Sequence, residues 1–310
     1  MSALLSRRSE TILVPSGEAG ERLDLFLTRT LDGVSRKTVK RALDGGQVFV
    51  NDRAERRASL VLCGGDRIQV TFEGSAPSLP LAVLSEVYRD AHLLAVNKPA
   101  GLPCHPTGDG GANALDLVAA RLNEESGDAA APILLHRLDV DTTGVLLFAL
   151  DPGANKALAR QFAEREVSKV YLALVAGSPP ESFSVTNQLK PGRRGRIQAV
   201  TSGGQTAETS FATLARGTGF ALVEARPRTG RTHQIRVHLS GAGFPLLGDL
   251  LYGGPPALKV NGAVLSARRH LLHASTLSLR HPGGAPLTLS APLPDDFLPF
   301  CRALSPPVLP

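Results

Sequence analysis

Cysteine is scarce in this sequence, which holds three in 310 residues: Cys63, Cys104 and Cys301. No two of them are spaced as a Cys-x-x-Cys pair. An odd and sparse set does not form the disulfide framework of a small secreted protein, and it is typical of the reducing cytosol. We therefore expect a cytoplasmic protein.

Long apolar runs are also missing. The stretch Val145–Leu150 is far shorter than the roughly 20 apolar residues that cross a bilayer as a helix. The N-terminal sequence MSALLSRRSE lacks the apolar core of a signal peptide. The chain has no internal repeat, no P-loop and no GxGxxG fingerprint for nucleotide phosphates. These absences predict a soluble protein with no membrane partner.

The chain has bulk and positive charge instead. Its 310 residues are 43% hydrophobic, which suffices for a sizeable core and suggests about two domains. The formal net charge is +6. A basic chain often binds a polyanion such as nucleic acid, but many basic proteins do not, so charge alone leaves the partner open.

The region 10–73 has the pattern of a small mixed module. Apolar spacing predicts a first helix. A serine N-cap and a Gly-Gly stop mark the two ends of a second helix, and the alternation of side chains predicts two short strands. These features lie in order at Leu23/Phe26/Leu27/Thr30, Ser35–Gly46, Val48–Val50 and Arg67–Phe72, with a turn at Asn51-Asp52.

A segment of linker composition, 74–80 (GSAPSLP), precedes a larger region, 81–304. Strand-like and helix-like pieces do not alternate regularly there, so we predict an α+β fold rather than a doubly wound parallel sheet. Asn123–Ala131 is predicted as a surface loop, and Ser305–Pro310 as a disordered tail. The predicted strands are Leu93–Val96, Val145–Ala149, Val170–Val175 and Phe220–Ala225, and the predicted helices are Ala154–Arg165 and His233–Ser240.

The second predicted helix of the small module is strongly basic. Its sequence SRKTVKRALD places cations four residues apart on one face, at Arg36, Lys37, Lys40 and Arg41. Such a face can follow a phosphate backbone, although a lone basic helix is more often only a solvated surface. The order ERLDLFL, SRKTVKRALDGGQVFVN and GGDRIQV resembles the alpha-L RNA-binding module of a small-subunit ribosomal protein and tyrosyl-tRNA synthetases. That resemblance implies that the α/β module binds RNA.

Four segments of the larger region carry the residues suited to chemistry. Taken singly, these segments do not identify a function. HRLD is compatible with a structural ion pair, and the paired histidines raise the question of a zinc site. His233 and His238 are five apart, the wrong interval for two ligands on one helix face. His270 and His273 are three apart and can share a face, but no carboxylate or cysteine nearby completes a zinc site. The segments are VNKPAGLPCHP (96–106), HRLDVDTTG (136–144), KVYLALVAG (169–177) and GRTHQIRVHL (230–239), followed by LLHASTLSLRHP (271–282).

Together, in this order, the segments resemble the RluA-type pseudouridine synthases over nearly the whole chain. HRLDVDTTG departs from that family's HRLDxxTSG only at Thr143, where serine is usual, and both side chains carry a hydroxyl. The resemblance implies a mixed, largely antiparallel sheet in the catalytic domain. It also implies that the chain isomerises uridine to pseudouridine within structured RNA, and that it does so without cofactor or metal.

The resemblance also assigns the site. It implies that Asp139 is the catalytic carboxylate, which either attacks C1′ or assists proton loss from C2′, and that Arg236 is its cationic partner. A nearby cation favours the ionised carboxylate that either role requires. Tyr171 matches the residue that stacks on the extruded base, and its hydroxyl is suited to moving the C5 proton. Leu272 matches an apolar residue beside the aspartate.

Further basic residues are candidates for gripping the RNA. Arg137 adjoins Asp139 and can fill the space left by the flipped uridine or hold a phosphate. The acid-free stretch KPGRRGR (190–196), with Arg193, Arg194 and Arg196, is either an RNA-binding loop or a solvated hairpin. Ribosomal RNA of the large subunit is the favoured partner, transfer RNA is an alternative, and we expect a monomer.

Two other functions remain open at this level. A non-catalytic RNA-binding protein could retain the fold, although the presence of Asp139, Tyr171 and Arg236 argues against it. A hydrolase could use Asp139 on a glycosidic bond, but such enzymes usually need a second carboxylate. Asp141 is near in sequence, yet nothing places it on the opposite side of a substrate.

Overall fold

The computed structural model describes residues 7–31, 34, 36–73, 84–107, 111–126 and 131–306. They form two compact units: residues before 74 together with 105–107 and 111–117, and 84–104 together with the residues from 118 onwards. The predicted linker, 74–80, lies outside the described residues, so the predicted domain boundaries remain a prediction. No helix within the described ranges is long and apolar enough to cross a membrane.

Among its described residues before 74, the first unit contains the α-helices α1 and α2 and a four-stranded antiparallel sheet in the order β1-β4-β2-β3. Leu23, Phe26, Leu27, Val39 and Leu43 are buried, as the apolar spacing predicts, whereas Thr30 is exposed. Strand β1 was not predicted. The elements are β1 Arg7–Leu13, α1 Leu23–Thr30, α2 Arg36–Asp44, β2 Val48–Val50, β3 Arg53–Ala54 and β4 Arg67–Glu73.

Local chemistry explains the C-terminal end of α2 and the turn that follows β2. At the end of α2, Gly46 has a φ of 69°, and its backbone N–H donates to the carbonyl of Leu43. Asn51 and Asp52 both have positive φ, which is the conformation that the predicted hairpin turn requires. The proposed cap, Ser35, lies outside the described residues.

The second unit is built on one large sheet with the strand order β11-β10-β12-β13-β9-β16-β8-β6-β5, and β17 and β7 pair with β16 and β8. Among the described strands, β8 and β16 pair in parallel and the others antiparallel, as the predicted fold requires. The strands are β5 Ser85–Arg89, β6 Leu93–Lys98, β7 Ile133–Leu134, β8 Thr143–Ala149, β9 Ser168–Ala176, β10 Ser182–Pro191, β11 Ile197–Val200, β12 Gln205–Gly217, β13 Phe220–Pro227, β16 Leu272–Arg280 and β17 Pro286–Ser290.

Helices cover parts of this sheet, and a separate hairpin stands beside it. Ala154 and Leu158 of α4 pack on β6 and β8, while Ile235 and Leu239 of α5 pack on β9 and β13. The packing of Ile235 and Leu239 on the sheet places the start of α5 at the edge of the cleft described below. The remaining elements are α3 Ala114–Ser126, α4 Pro152–Ala163, α5 Gln234–Gly241, β14 Ala257–Val260, β15 Ala263–Ser266 and α6 Leu298–Arg302.

Two local predictions were wrong. Residues 123–126 belong to α3 and not to a loop, because a contact one helical turn apart stabilises its last turn: Arg121 donates through Nε to Glu125 at 3.0 Å. Ser305 is ordered, since its N–H donates to the Arg216 carbonyl at 2.8 Å. Residues 127–130 and 307–310 lie outside the described ranges.

Candidate active site

A cleft of about 430 Å³ opens in the second unit where the HRLD loop, β9, the loop before α5 and the start of β16 meet. Its volume lies in the range of small-molecule sites. Asp139 is the one carboxylate among the described residues that line it. All five residues predicted from the HRLD, KVYLAL, GRTHQIR and HLLHA segments line this cleft: Arg137, Asp139, Tyr171, Arg236 and Leu272.

Asp139 and Arg236 form an ion pair at the base of the cleft. The Arg236 guanidinium donates through Nη1 to Asp139 Oδ2 at 3.2 Å. The two residues are 97 positions apart, on the HRLD loop and on α5. The Asp139 side chain keeps 18% of its surface exposed, and it lines the cleft that a substrate would occupy.

Arg236 is held from behind by Asp249. The guanidinium donates through Nε and Nη2 to the two oxygens of Asp249, each at 2.8 Å, and lies over the Tyr252 ring at 5.0 Å. Burial opposes the charge, but the hydrogen bonds and charge of Asp249, with those of Asp139, raise the pKa of Arg236. The arginine therefore stays cationic, and its third donor is fixed toward Asp139.

His233 also contacts this pair, and it was not among the predicted site residues. It precedes α5 with a φ of 55°, in the left-handed region that non-glycine residues seldom adopt. Its Nδ1 lies 2.9 Å from the Tyr252 hydroxyl, and its Nε2 lies 4.0 Å from Asp139 Oδ2. Burial lowers its pKa despite the opposing charge of Asp139, which favours a neutral ring.

Gln234 holds the loop before α5 on the sheet. Its side-chain oxygen accepts hydrogen bonds from the Thr229 hydroxyl and the Arg231 N–H, at 2.7 and 3.0 Å. Its amide nitrogen donates to the Glu208 carbonyl and the Thr209 hydroxyl of β12. A buried amide with these partners explains why the THQIR sequence presents His233 and Arg236 in one orientation.

The loop that carries Asp139 is anchored from one side by Lys98. The buried ammonium donates to the carbonyls of Pro99, Leu102 and Val140, at 2.8, 2.8 and 2.7 Å. Burial lowers the pKa of Lys98 to about 8, which leaves it largely charged at neutral pH. The lysine of the NKPAGL segment thus ties that segment to the residue after Asp139.

The same loop is anchored from the other side by the HLLHA segment. Thr142 and Thr143 bond His270 Nε2 and His273 Nδ1, each at 2.9 Å. Burial lowers the pKa of His270 to about 2 and that of His273 to about 4, so both rings are neutral. His270 and His273, one of the two histidine pairs considered for zinc, are therefore hydrogen-bonded to threonines.

Gly144 ends the HRLDVDTTG segment for a steric reason. It has a φ of 113°, and a Cβ placed on it would lie 2.1 Å from the carbonyl oxygen of Ala274. This is the point where β8 and β16 run in parallel, with Ala274 opposite Gly144. Only glycine permits that approach, which brings Leu272 next to the HRLD loop.

Tyr171 and Leu272 supply apolar surface to the cleft. Tyr171 lies on β9 opposite Ala225 of β13 and Ala274 of β16, and no described residue bonds its hydroxyl. Burial, reinforced by the charge of Asp139, raises the pKa of Tyr171, so its hydroxyl stays protonated. Leu272 is buried at the start of β16.

The other predicted RNA-binding residues are exposed where the structure describes them. Arg137 is exposed at the cleft, and Arg193 and Arg196 are exposed between β10 and β11. Arg36 and Lys40 are exposed on α2, where Lys40 lies 3.3 Å from Asp44. The side chains of Lys37, Arg41 and Arg194 lie outside the described residues.

Comparison with known proteins agrees with the resemblance seen in the sequence. A family described as RNA pseudouridylate synthase matches residues 92–241. The chain is 36% identical to the ribosomal large subunit pseudouridine synthase D of Neisseria meningitidis, over 92% of this chain and 79% of that protein. It is also 36% identical to the protein of the same name from Xanthomonas campestris, over 94% of this chain and 91% of that one.

A solved structure supports the fold independently. Human RNA pseudouridylate synthase domain containing 4 matches with a TM-score of 0.56 and 29% identity, over 69% of this chain and 90% of that chain. The motifs, the largely antiparallel sheet and the relatives all indicate the family that the sequence resembles. The chain belongs to the RluA-type RNA pseudouridine synthase family and is an enzyme that isomerises uridine to pseudouridine in RNA.

Proposed function

We propose that this enzyme modifies specific uridines of large-subunit ribosomal RNA, with Asp139 as the catalytic carboxylate. The relatives from Neisseria and Xanthomonas bear names that specify this RNA. The observation that carries the assignment of Asp139 is its 3.2 Å contact with a guanidinium that Asp249 fixes on the opposite side. Asp139 thus lines the cleft beside a fixed positive charge.

The chemistry requires an anion at the ribose. The N1–C1′ bond of the uridine breaks, the base turns, and a C5–C1′ bond forms. Ionised Asp139 either attacks C1′ or takes the proton from C2′, and both require an unprotonated oxygen held near the sugar. The positive charge of Arg236 is already paired with this carboxylate, and it needs no rearrangement during the reaction.

The neighbours of Asp139 would bind the extruded base. The Tyr171 ring offers a stacking surface worth about 1–3 kcal/mol. Its protonated hydroxyl can take part in transfer of the C5 proton, and Leu272 limits the space beside the aspartate. Exposed Arg137, at the mouth of the cleft, is suited to replacing the uridine in its stack or to holding a phosphate.

The first unit and the β10–β11 connection would add affinity for the RNA backbone. The resemblance of the first unit to the alpha-L module supports this role, as does the exposure of Arg36 and Lys40 on α2. Arg193 and Arg196 extend the basic surface of the second unit. A monomeric state and a cytoplasmic location remain predictions from the sequence, as does transfer RNA as the alternative substrate.

Hydrolysis of the glycosidic bond is a weaker alternative for this geometry. Glycosidases usually place two carboxyl groups on opposite sides of the bond. Asp139 is the one carboxylate among the described cleft residues, and Asp141, whose backbone carbonyl accepts from Arg269 at 2.8 Å, does not line the cleft.

Two measurements test the proposal. Pseudouridine mapping of total RNA from cells with and without the gene should show loss of specific sites in large-subunit ribosomal RNA. Loss of sites only in transfer RNA would contradict the choice of substrate. Purified enzyme should form pseudouridine in a ribosomal RNA transcript without releasing uracil, whereas free uracil would indicate a hydrolase.

A further inference from the structure

A second cleft, of about 250 Å³, adjoins the active-site cleft of the second unit. The two clefts have five lining residues in common: Phe162, Lys169, Thr229, Gly230 and Arg231. The second cleft is otherwise formed by the end of α4, the segment before β9 and Arg228 after β13. A group bound there would lie next to whatever occupies the active-site cleft.

The lining of this second cleft is basic. Among the described residues it contains four cations and no carboxylate: Arg165, Lys169, Arg228 and Arg231. Carboxylates do occur nearby: Glu208 pairs with Arg228 at 3.3 Å, and Glu164, which with Glu166 flanks Arg165, pairs with Arg160 at 3.8 Å. Arg231 donates through Nε to the Thr206 carbonyl at 3.2 Å. Lys169 and Arg231 form no ion pair with any carboxylate of the described residues.

Lys169 is the central member of this group. It is half-buried on β9, two residues before Tyr171, and its ammonium lies 5.5 Å from the centre of the Phe162 ring. Burial lowers its pKa and disfavours its charge. A partly buried cation without an anionic partner is costly unless a ligand supplies the missing charge.

We propose that Lys169 and Arg231, with Arg165 and Arg228, bind a phosphodiester of the substrate RNA immediately beside the target uridine. This inference rests on the proposed function. A phosphate suits the lining because ammonium and guanidinium groups both form charge-assisted hydrogen bonds to its oxygens. Because Lys169 and Arg231 border both clefts, a phosphate bound by them would hold the nucleotide near Asp139 and Tyr171.

The first test measures the affinity of the full chain for a large-subunit ribosomal RNA transcript at several salt concentrations. Lys169→Gln should weaken binding about tenfold, as expected for one charge-assisted hydrogen bond. The slope of log affinity against log salt should become shallower by about 0.7–0.9, the effect of one lost phosphate contact. Lys169→Arg should restore the slope, because it retains the charge.

The matched control is Lys259→Gln, which removes the same charge from an exposed lysine that lines neither cleft. It should leave affinity and slope near those of the wild type. A slope for Lys169→Gln equal to that of the wild type would overturn the proposal, whatever its affinity, because a purely structural role weakens binding without removing a counterion-release term. Equal slope losses in both variants would also overturn it.

The second test locates the phosphate. A synthetic hairpin that contains the converted uridine is prepared with one neutral methylphosphonate at each neighbouring linkage in turn. At one linkage, the replacement should weaken binding to the wild type but not further weaken binding to Lys169→Gln. Additive losses at every linkage would overturn the subsite. Failure of the wild type to form pseudouridine would instead contradict the proposed function, and the binding measurements would still decide the subsite.

Discussion

Replacing Arg236 by lysine tests whether the simultaneous contacts of its guanidinium with Asp249 and Asp139 are required, or only its positive charge. The guanidinium makes two bonds to Asp249 and one to Asp139, at 2.8, 2.8 and 3.2 Å. A lysine ammonium is a point charge on a flexible chain, so it cannot hold both carboxylates in this arrangement. We expect Asp249 to retain the ammonium, because the pair with Asp249 is the more deeply buried of the two.

The size of the effect follows from the contact that is lost. One hydrogen bond between charged groups contributes about 2 kcal/mol in a partly buried site. If that contact organises Asp139 for reaction, losing it should lower kcat about 30-fold. Binding of RNA should change less, because Arg236 is buried and its third donor points to Asp139 and not to the outer surface.

Single-turnover formation of pseudouridine at saturating RNA measures this effect. Arg226→Lys is the matched control, since Arg226 is an exposed arginine that lines neither cleft and donates to Glu224 at 2.6 Å. Thermal unfolding of both variants checks that the chain still folds. A kcat for Arg236→Lys within about twofold of the wild type would refute the role of the fixed guanidinium.

Three further predictions concern other parts of the molecule. Tyr171→Ala should weaken RNA binding more than Tyr171→Phe, because stacking needs only the ring; equal affinities would remove the stacking role. The free energy of unfolding should fall as pH drops from 6.5 toward 4, because unfolded His273 then binds a proton that the folded ring, with its pKa of about 4, does not. In urea denaturation, His273→Gln should show a slope of unfolding free energy against pH that is smaller than that of the wild type by up to about 1.4 kcal/mol per pH unit, while buried His270 keeps its own contribution; an identical pH profile in both would contradict it. Replacing the four α2 cations by glutamine should reduce the salt slope of RNA binding by about three, and an unchanged slope would exclude α2 as an RNA contact. The four are Arg36, Lys37, Lys40 and Arg41.

The elements predicted correctly from the sequence are those with local signals. The C-terminal end of α2 follows from a Gly-Gly stop, and the central strands follow from runs of β-branched and other apolar residues. The missed helix α3 had a local signal too: Asn113 and Asp116 stand three apart and bond each other at 2.6 Å. Strand β1 has no comparable pattern, because its pairing with β4 depends on residues about 60 positions away.

The residues of the candidate site also fall into those that were predicted from the sequence and those that were not. Its predicted members came from segments whose order resembles a known family, and the cleft brings Asp139, Tyr171, Arg236 and Leu272 together. Asp249 and His233 were not predicted as site residues. Asp249 bonds Arg236 from 13 positions further along the chain, and His233, although it lies in the GRTHQIRVHL segment, contacts Asp139 on the distant HRLD loop; an aspartate or histidine alone gives no sign of such a partner.

The rate of pseudouridine formation by Asp139→Asn tests the central claim most directly. The change is almost isosteric, and Arg236 keeps its two bonds to Asp249, so folding and RNA affinity should be nearly intact. The amide has no anionic oxygen to act at the ribose. In single turnover on a large-subunit ribosomal RNA transcript, we expect a rate below about a thousandth of that of the wild type, a barrier increase of about 4 kcal/mol. A folded Asp139→Asn protein that binds this RNA and converts its uridine faster than that would contradict the account.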